Sequence, residues 1–237
     1  MDEDLSLSAS TLAALEEFLA EQDKRVQQFE QLHAAAEDKF DQDGVAAGMD
    51  LFEEDWNLSQ FWYSEETSKT LAEELLRGAT PETTIAVVSA PSVYAAIKKM
   101  NNLPTKEIYL LEYDDRFKIL AGAYFVHYDF RRALELPKKL HHSIDRVLVD
   151  PPFLSDECQT KAAVSVRWML RKPEDRTDQH RTIVATGERM ASTIAKAYPD
   201  TSMTDFYPEH SNGLSNEFRC YASFDGEKWK RIDVALT

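Results

Sequence analysis

The strongest chemical signal in the sequence is the tetrapeptide Asp150-Pro151-Pro152-Phe153. It directly follows an apolar run, 146–149, that predicts a buried strand, and open α/β sheets bind ligands at the carboxyl ends of their strands. Two consecutive prolines fix the backbone and leave carbonyls that no neighbouring amide claims. Asp150 adds a carboxylate acceptor, and Phe153 adds an aromatic wall. These four residues predict a catalytic site that holds an amino group by its hydrogens, although a rigid turn after a strand would look the same.

A second signal is the turn Ser89-Ala90-Pro91-Ser92, which joins the first predicted strand to a helix. Nucleotide-like cofactors bind at this place in open α/β folds, usually against glycines, but this turn has none. Pro91 suits the first helical position, Ser92 can offer its hydroxyl, and the free amides of a helix start can meet a carboxylate. We predict that these four residues bind a cofactor, while an ordinary strand-to-helix turn remains the alternative.

Acidic residues with aromatic neighbours follow the next two predicted strands. After the second strand, Glu112 and Asp114 are both candidates to accept hydrogen bonds from a ribose diol, and the sequence does not choose between them. After the third strand, Asp129 could accept a hydrogen bond from an adenine amino group. The predicted cofactor-binding residues at these two ends are Glu112, Tyr113, Asp114, Tyr128, Asp129 and Phe130. Because all the segments fall at successive strand ends, they should converge on one crevice.

These segments need a sheet to bring them together, and the hydrophobic pattern predicts one. Short apolar runs alternate with helical patterns, which is typical of a parallel sheet covered by helices on both faces. The predicted strands are 84–89, 108–112, 124–128, 146–149 and 182–186, and the predicted helices are 64–76, 91–101, 131–140, 155–171 and 187–198. Two further strands, 202–207 and 217–224, have no helix between them. The fold class is therefore α/β, with seven strands that end in an antiparallel pair.

Charge divides the chain into two regions. Residues 1–55 carry 16 of the 42 acidic and 3 of the 27 basic residues, so they hold −13 of the net charge of −15. Residues 8–37 also show a thin apolar stripe at helical spacing. We therefore predict an acidic N-terminal extension, helical and then mobile, over 1–55 and a folded domain over 56–237. Nucleic acid is not expected as a substrate, because the chain has no evident basic face.

Other classes of protein find little support in the sequence. The sequence contains no run of 18 apolar residues, so no membrane span is predicted. Its acidic start, Met-Asp-Glu-Asp, is unlike a signal peptide. Cys158 and Cys220 alone cannot form a disulfide framework. His141 and His142 have no third ligand at metal spacing, so no metal is expected. We predict a cytoplasmic monomer.

Five separated segments together resemble the lysine methyltransferases of translation elongation factor 1A, a family first grouped with adenine methyltransferases by its Pro-Pro motif. The resemblance covers about residues 56–230. In chain order the segments are Phe61-Trp62-Tyr63-Ser64, Ser89-Ala90-Pro91-Ser92, Leu111-Glu112-Tyr113-Asp114, Asp150-Pro151-Pro152-Phe153-Leu154-Ser155 and Ser215-Asn216-Glu217-Phe218-Arg219-Cys220. The turn without glycine departs from the wider methyltransferase pattern but agrees with this family.

The resemblance implies a Rossmann-like class I methyltransferase sheet, S-adenosyl-L-methionine as the methyl donor and elongation factor 1A as the protein substrate. It also implies that Phe61, Trp62, Tyr63 and Asn216 bind the substrate, although by residue type alone Phe61-Trp62-Tyr63 could equally be a corner of the core. Two alternatives remain open at this point. The same acceptor groups could serve an adenine amino methyltransferase acting on DNA or RNA, which would have to extract the base from its stack. A non-catalytic binding module could also keep the fold.

Overall fold

The computed structural model describes residues 61–213 and 217–232. Within them the strands are β1 Ile85–Val88, β2 Ile108–Glu112, β3 Phe125–His127, β4 Arg146–Val149, β5 Arg181–Gly187, β6 Ser202–Met203 and β7 Phe218–Ala222. The α-helices are α1 Glu65–Leu76, α2 Pro91–Lys98, α3 Lys118–Ala121, α4 Asp156–Met169 and α5 Ala191–Ala197. The predicted extension over 1–55, the predicted domain start at 56 and Asn216 lie outside the described residues.

The seven strands form one sheet in the order β3-β2-β1-β4-β5-β7-β6. Strands β1 to β5 are parallel to one another, while β7 runs antiparallel to its two neighbours, β5 and β6. The strand order reverses between β1 and β4, which are hydrogen-bonded neighbours in the middle of the sheet. This order agrees with the class I methyltransferase sheet that the family resemblance implies, and the predicted terminal antiparallel pair is confirmed.

Both faces of the sheet are buried, which explains why its central strands are apolar throughout. All residues of β1, β2 and β4 are buried. On one face, Val88 and Val149 belong to a core cluster that includes Val166 of α4 and Ile194 of α5. Because side chains alternate along a strand, Val87 points to the other face, where α1 and α2 pack together. The functional strand ends are thus fixed by a core on each side.

Local signals in the sequence place the helix starts beside the carboxyl ends of the strands. The Ser64 hydroxyl accepts a hydrogen bond from the amide of Thr67 at the start of α1, over 3.2 Å. Ser155 caps α4 in the same way by accepting from the amide of Cys158. Pro91 occupies the first position of α2, where a missing N–H costs nothing.

Three details differ from the predicted elements. The predicted helix over 131–140 is instead two short 3₁₀ turns, Phe130–Arg132 and Lys138–Leu140, because Pro137 lacks an amide hydrogen and Leu134 finds no core to bury it, being 57% exposed. Between β2 and β3 the chain forms the one-turn helix α3, which the pattern did not predict. Strand β6 covers only Ser202–Met203 of the predicted run 202–207.

Candidate active site

A cavity of about 310 Å³ opens at the carboxyl edge of the sheet, within the range of about 300–1,000 Å³ usual for small-molecule sites. The parallel strands β1, β2, β3 and β4 all end at it. Its walls include Phe61, Trp62, Ser89, Ala90, Pro91, Ser92, Glu112, Tyr113, Tyr128, Asp129, Phe130, Asp150, Pro151, Pro152 and Phe153. The structure thus brings fifteen of the eighteen predicted site residues to one cavity. Tyr63 and Asp114 are not among its walls, and Asn216 lies outside the described residues.

Asp150 is the acidic residue that β4 contributes to the cavity wall. Burial raises the pKa of its carboxyl to about 7, and the Tyr63 hydroxyl opposes that rise. Among the described residues, no cation pairs with this carboxylate and no donor reaches it within normal hydrogen-bond geometry. The carbonyls of Pro151 and Pro152 are likewise unclaimed within the described part of the chain. The end of β4 therefore presents to the cavity a set of hydrogen-bond acceptors that no donor among the described residues occupies.

The sequence explains why Asp150 stays unpaired while two other aspartates at this edge do not. Asp129 accepts a hydrogen bond from the amide of Arg131, two residues later, at 2.9 Å. Asp114 accepts one from the amide of Arg116, also two residues later, at 3.0 Å. Both belong to an Asp-X-Arg sequence, whose arginine supplies an amide and a guanidinium. In Asp150-Pro151-Pro152 the next two residues have no N–H, so the local chain cannot cap the carboxylate.

Tyr63 lies behind this acceptor site rather than in the cavity wall. Its side chain is only 4% exposed, and its hydroxyl has no hydrogen bond of normal geometry. Burial first, and then the interaction with Asp150, raises the pKa of Tyr63 well above its usual value. The direct substrate contact predicted for Tyr63 is therefore not what the geometry favours, because its ring is packed under the surface and its hydroxyl is directed to Asp150.

Tyr63 is held by a short antiparallel ribbon, which we call the strap and define as residues 61–64 together with 209–211. The amide of Ser64 donates to the carbonyl of Glu209 over 2.8 Å, and the amide of Ser211 donates to the carbonyl of Trp62 over 2.9 Å. The rings of Tyr63 and His210 stack with centroids 4.7 Å apart. The strap thus closes one side of the cavity with segments that are almost 150 residues apart.

At the end of β2 the structure distinguishes the two acidic candidates that the sequence left open. Glu112 lines the cavity, and its carboxylate accepts a hydrogen bond from the amide of Tyr113 over 2.8 Å. Burial raises the pKa of Glu112 to about 8, although the Tyr113 amide lowers it. Asp114 instead pairs with the guanidinium of Arg116 at 2.6 Å, outside the cavity walls. Glu112 is therefore the residue placed to meet a ligand here.

At the end of β3, Asp129 faces the cavity but is already paired. The Nε of Arg131 donates to both of its carboxylate oxygens, over 2.9 and 3.1 Å. Burial acts to raise the pKa of Asp129, but the hydrogen bonds and charge of Arg131 outweigh it, and the pKa falls below its usual value. The guanidinium of Arg131 also lies 5.8 Å from the centre of the Tyr113 ring. Asp129 is therefore ionised and oriented at neutral pH.

The turn after β1 adopts a conformation usually left to glycine. Ser89 has a φ of 55°, in the left-handed region that costs a side-chain-bearing residue free energy. Its amide donates to the carbonyl of Leu111 over 2.8 Å, which ties the ends of β1 and β2 together. The chain then enters α2 at Pro91, and the buried Ser92 lines the cavity. A strained serine thus takes the place of the glycine that the sequence lacks.

Aromatic rings surround the mouth of the cavity. Phe153 is 41% exposed, and its ring meets that of Phe130 edge to face at 5.7 Å. On the other side His210 packs against the ring of Phe218 at 4.5 Å, and both line the cavity. This rim can admit a long apolar chain that ends in a polar group.

Three wall residues were not predicted as site residues: Arg131, His210 and Phe218. Phe218 lies in the fifth segment of the family resemblance, which could have identified it. Arg131 follows Asp129 by two residues, and the Asp-X-Arg spacing was a usable signal. No local signal marks His210, because its place in the wall depends on the strap.

The part of the chain that the structure describes contains neither a candidate metal site nor a candidate membrane-spanning helix. No group of three or more histidine, cysteine or acidic side chains there is arranged to hold a metal ion. No helix within 61–213 or 217–232 has the length and apolar character that a membrane span requires.

Comparisons with known proteins agree with the geometry. The family model described as "Probable N6-adenine methyltransferase" matches residues 54–226. The Protein-lysine N-methyltransferase EFM5 of Saccharomyces cerevisiae is 48% identical over 234 residues, covering 95% of this chain and 94% of the relative. The EEF1A lysine methyltransferase 1 of Homo sapiens is 38% identical over 225 residues, covering 94% of each. The chain therefore belongs to this family of class I methyltransferases and is a protein-lysine N-methyltransferase.

Proposed function

We propose that this enzyme transfers a methyl group from S-adenosyl-L-methionine to the side-chain amine of a lysine in translation elongation factor 1A. The observation that carries the proposal is the half-buried Asp150, which no described residue pairs with, beside two proline carbonyls that are likewise unclaimed within the described residues. The relatives named for methylation of EEF1A support this choice of protein.

The donor side of the cavity fits an adenosyl group. Glu112 offers a carboxylate that has no cation paired with it within the described residues, so the two hydroxyls of a ribose would supply the donors it lacks. Asp129 is held ionised by Arg131 and can accept a hydrogen bond from an adenine amino group. At the start of α2 the amides of Val93 and Tyr94 already donate to the carbonyl of Ala90, and Pro91 has no N–H. The amide of Ser92, just after the strained turn at Ser89, is the one that can meet the carboxylate of the methionine part.

The acceptor side fits a lysine side chain. The aromatic rim, with Phe153 and Phe218 on its two sides, can enclose the four methylenes of lysine. At the inner end the Asp150 carboxylate and the Pro151 carbonyl can accept hydrogen bonds from the amine. A flat adenine ring has no methylene chain for such a rim to enclose, and the protein-lysine relatives favour lysine as well.

When bound, S-adenosyl-L-methionine supplies a methyl group on a positively charged sulfur. The chain's task is to present an amine with a free lone pair. A lysine ammonium has no lone pair, and its ordinary pKa is about 10.4, so it must first lose a proton. Transfer into a water-poor cavity beside a positive charge favours that loss. Asp150 and the Pro151 carbonyl then hold the two remaining hydrogens, which directs the lone pair at the methyl group.

Orientation is the largest contribution this geometry can make. Holding two reactants in line can lower a barrier by on the order of 7–11 kcal/mol. The rigid Pro151-Pro152 backbone suits that purpose, because each proline has a fixed φ. Phe153 prevents lateral movement of the substrate chain.

The test is methyl transfer with purified components. The enzyme, S-adenosyl-L-methionine with a labelled methyl group and purified elongation factor 1A should give label on a lysine of that factor, located by mass spectrometry. Asp150→Asn, which keeps the shape but removes the charge, is the matched control and should give none. A parallel reaction uses cell extract with and without nuclease. Label that enters nucleic acid would identify an adenine methyltransferase instead, and no label in any fraction would support a non-catalytic module.

A further inference from the structure

One helix, α4, contacts both halves of the candidate active site through buried polar side chains. Gln159 and Ser165 have no exposed surface. They lie six residues apart, which is about 9 Å along a helix axis. A buried polar side chain is expensive unless it is paired, so the partners of these two residues show what the helix holds in place.

Gln159 holds the acceptor loop from behind. Its Nε2 donates to the carbonyl of Phe153 over 3.1 Å and to the hydroxyl of Thr186, at the end of β5, over 3.0 Å. The reverse orientation of the amide would place its oxygen against the Phe153 carbonyl oxygen, so the donor assignment is fixed by chemistry. This amide therefore fixes the last residue of the tetrapeptide that begins at Asp150.

Two further contacts limit the same loop just beyond Phe153. The guanidinium of Arg189 donates to the carbonyl of Leu154 over 3.0 Å. Gly187 leaves room for the Leu154 side chain, since a Cβ at that position would lie 2.8 Å from its Cδ1. The carbonyls of Phe153 and Leu154 are thus both occupied, while those of Pro151 and Pro152 stay available for the substrate.

Ser165 holds the donor side. Its hydroxyl donates to the carbonyl of Ala133 over 2.8 Å and lies 2.9 Å from the hydroxyl of Tyr128. Because a serine hydroxyl has one hydrogen, which goes to Ala133, the Tyr128 hydroxyl is the donor of the second bond. Tyr128 lines the cavity, and Ala133 follows the Asp129–Arg131 pair. Ser165 therefore fixes the segment 128–133 from both ends.

We propose that Gln159 and Ser165 are positioning residues with separate duties, Gln159 for the methyl acceptor and Ser165 for the methyl donor. Neither touches the reacting atoms. Their separation on one rigid helix sets the distance between the segment that binds the cofactor and the loop that holds the amine. The inference rests on the proposed methyl transfer, but the two halves can also be measured without turnover.

The test is a crossed comparison of two variants. Gln159→Met keeps the length of the side chain and removes the donor, while Ser165→Ala removes the hydroxyl. Gln159→Met should lower kcat for lysine methylation at least tenfold and leave the dissociation constant of S-adenosylhomocysteine, measured by calorimetry, within twofold. Ser165→Ala should raise that dissociation constant at least fivefold and leave kcat at saturating donor within threefold. Two variants on the same helix thus serve as controls for each other.

Two conservative variants separate positioning from general stability. Thr186→Val breaks the other hydrogen bond of the Gln159 amide but leaves the bond to Phe153, so kcat should stay within threefold of the wild type. Ser165→Thr keeps the hydroxyl and should keep the affinity for S-adenosylhomocysteine within twofold. If Gln159→Met and Ser165→Ala lower kcat and affinity alike, or if Thr186→Val matches Gln159→Met, the separate duties are refuted.

Hydrogen exchange of backbone amides measures the same division without any reaction. Gln159→Met should accelerate exchange in peptides that cover 153–157 and leave those that cover 128–134 unchanged, and Ser165→Ala should do the opposite. Should Gln159→Met fail to fold, the smaller Gln159→Leu carries the same test. A wild-type enzyme that methylates no lysine would overturn the proposed function, whereas uniform exchange in both variants would overturn this inference.

Discussion

Two strand ends on the same sheet edge carry aspartates in opposite electrostatic states. At the end of β3, Asp129 is bound by the amide and the guanidinium of Arg131, and its pKa lies below the usual value. At the end of β4, Asp150 has no cation and no amide from the next two residues, and burial raises its pKa to about 7. The charge of Asp129 is thus balanced by an arginine two residues later. The carboxylate of Asp150 has no such local partner and can accept hydrogen bonds from a ligand.

The local sequence after an aspartate therefore decides what that aspartate can do. An arginine two residues later supplies both an N–H and a positive charge, whereas two prolines supply neither. A compensated carboxylate suits a fixed hydrogen bond to a neutral group of a cofactor, such as the adenine amino group. An uncompensated one suits an amine that arrives charged and must be held by its hydrogens.

Removing the uncompensated carboxylate should have the largest effect. We expect Asp150→Ala to lower kcat by on the order of 10³-fold, because the amine loses its main acceptor in a water-poor site. The dissociation constant of S-adenosylhomocysteine, measured by calorimetry, should stay within about threefold. A tenfold loss of cofactor affinity would mean that Asp150 belongs to the donor half and that the division is wrong.

The pH dependence of turnover should report the protonation of Asp150. As the pH falls through about 7 the carboxyl binds a proton and ceases to be a pure acceptor, so kcat/KM should fall. Because Tyr63 opposes the raised pKa of Asp150, Tyr63→Phe should raise that pKa further and move the acid limb to higher pH. Tyr109→Phe is the matched control, since its hydroxyl bonds to Glu107 away from the cavity. Identical profiles for Tyr63→Phe and the wild type would contradict the assignment.

On the donor half, Glu112 and Asp114 form a natural pair of variants. Glu112 faces the cavity and Asp114 does not, so only Glu112→Ala should weaken the binding of S-adenosylhomocysteine. Leaving a buried partner without its hydrogen bond costs about 1–3 kcal/mol, which is about 5- to 150-fold in affinity. Asp129→Ala should have an effect in the same range.

Two outcomes of these three binding measurements would contradict the assignment of the cofactor site. Unchanged affinity in both Glu112→Ala and Asp129→Ala would remove the two residues from the cofactor site. A larger effect from Asp114→Ala than from Glu112→Ala would reverse the choice that the cavity geometry makes at the end of β2.

The smallest effect is expected from deleting residues 1–55. Since these residues hold −13 of the charge and none of the segments that the sequence predicts to end a strand, the remainder should fold and bind S-adenosylhomocysteine as the full chain does. Charge steering acts on association and weakens with salt. The truncated enzyme should show a higher KM for elongation factor 1A at low salt, and the difference should vanish as salt rises.

Salt also separates the explanations for the extension. A difference in KM that persists at about 0.5 M salt, where screening is nearly complete, would indicate apolar contacts by residues such as Leu12 and Phe18. Failure of the truncated chain to fold would show that the boundary at residue 55 is wrong.

Much of the fold and of the cavity could be predicted from the sequence, because both follow from local patterns. Apolar runs alternating with helical segments determine a parallel sheet, and parallel strands present their carboxyl ends at one edge. Residues that directly follow these strands therefore lie close together at that edge, whichever contacts they make there. This is why Glu112, Asp129 and Asp150 could be placed together from the sequence alone.

Other features could not be predicted from short sequence segments, because they depend on contacts between distant parts of the chain. The strap joins residues 61–64 to 209–211, and the position of His210 depends on that pairing. The choice between Glu112 and Asp114 depends on which side chain the guanidinium of Arg116 reaches. The helix predicted over 131–140 does not form, since Pro137 interrupts the backbone hydrogen bonds and no core lies beneath Leu134.

By itself, then, the sequence determined the order of the elements, the edge at which they act and the reason why Asp150 lacks a local donor. Those properties depend on neighbours within a few residues, where backbone geometry and the missing amides of Pro151 and Pro152 act directly. The tertiary structure alone decided the burial that raises the pKa of Asp150 and the partners of Tyr63 and Gln159. Burial and long-range pairing arise only when segments distant in the chain exclude water from one another.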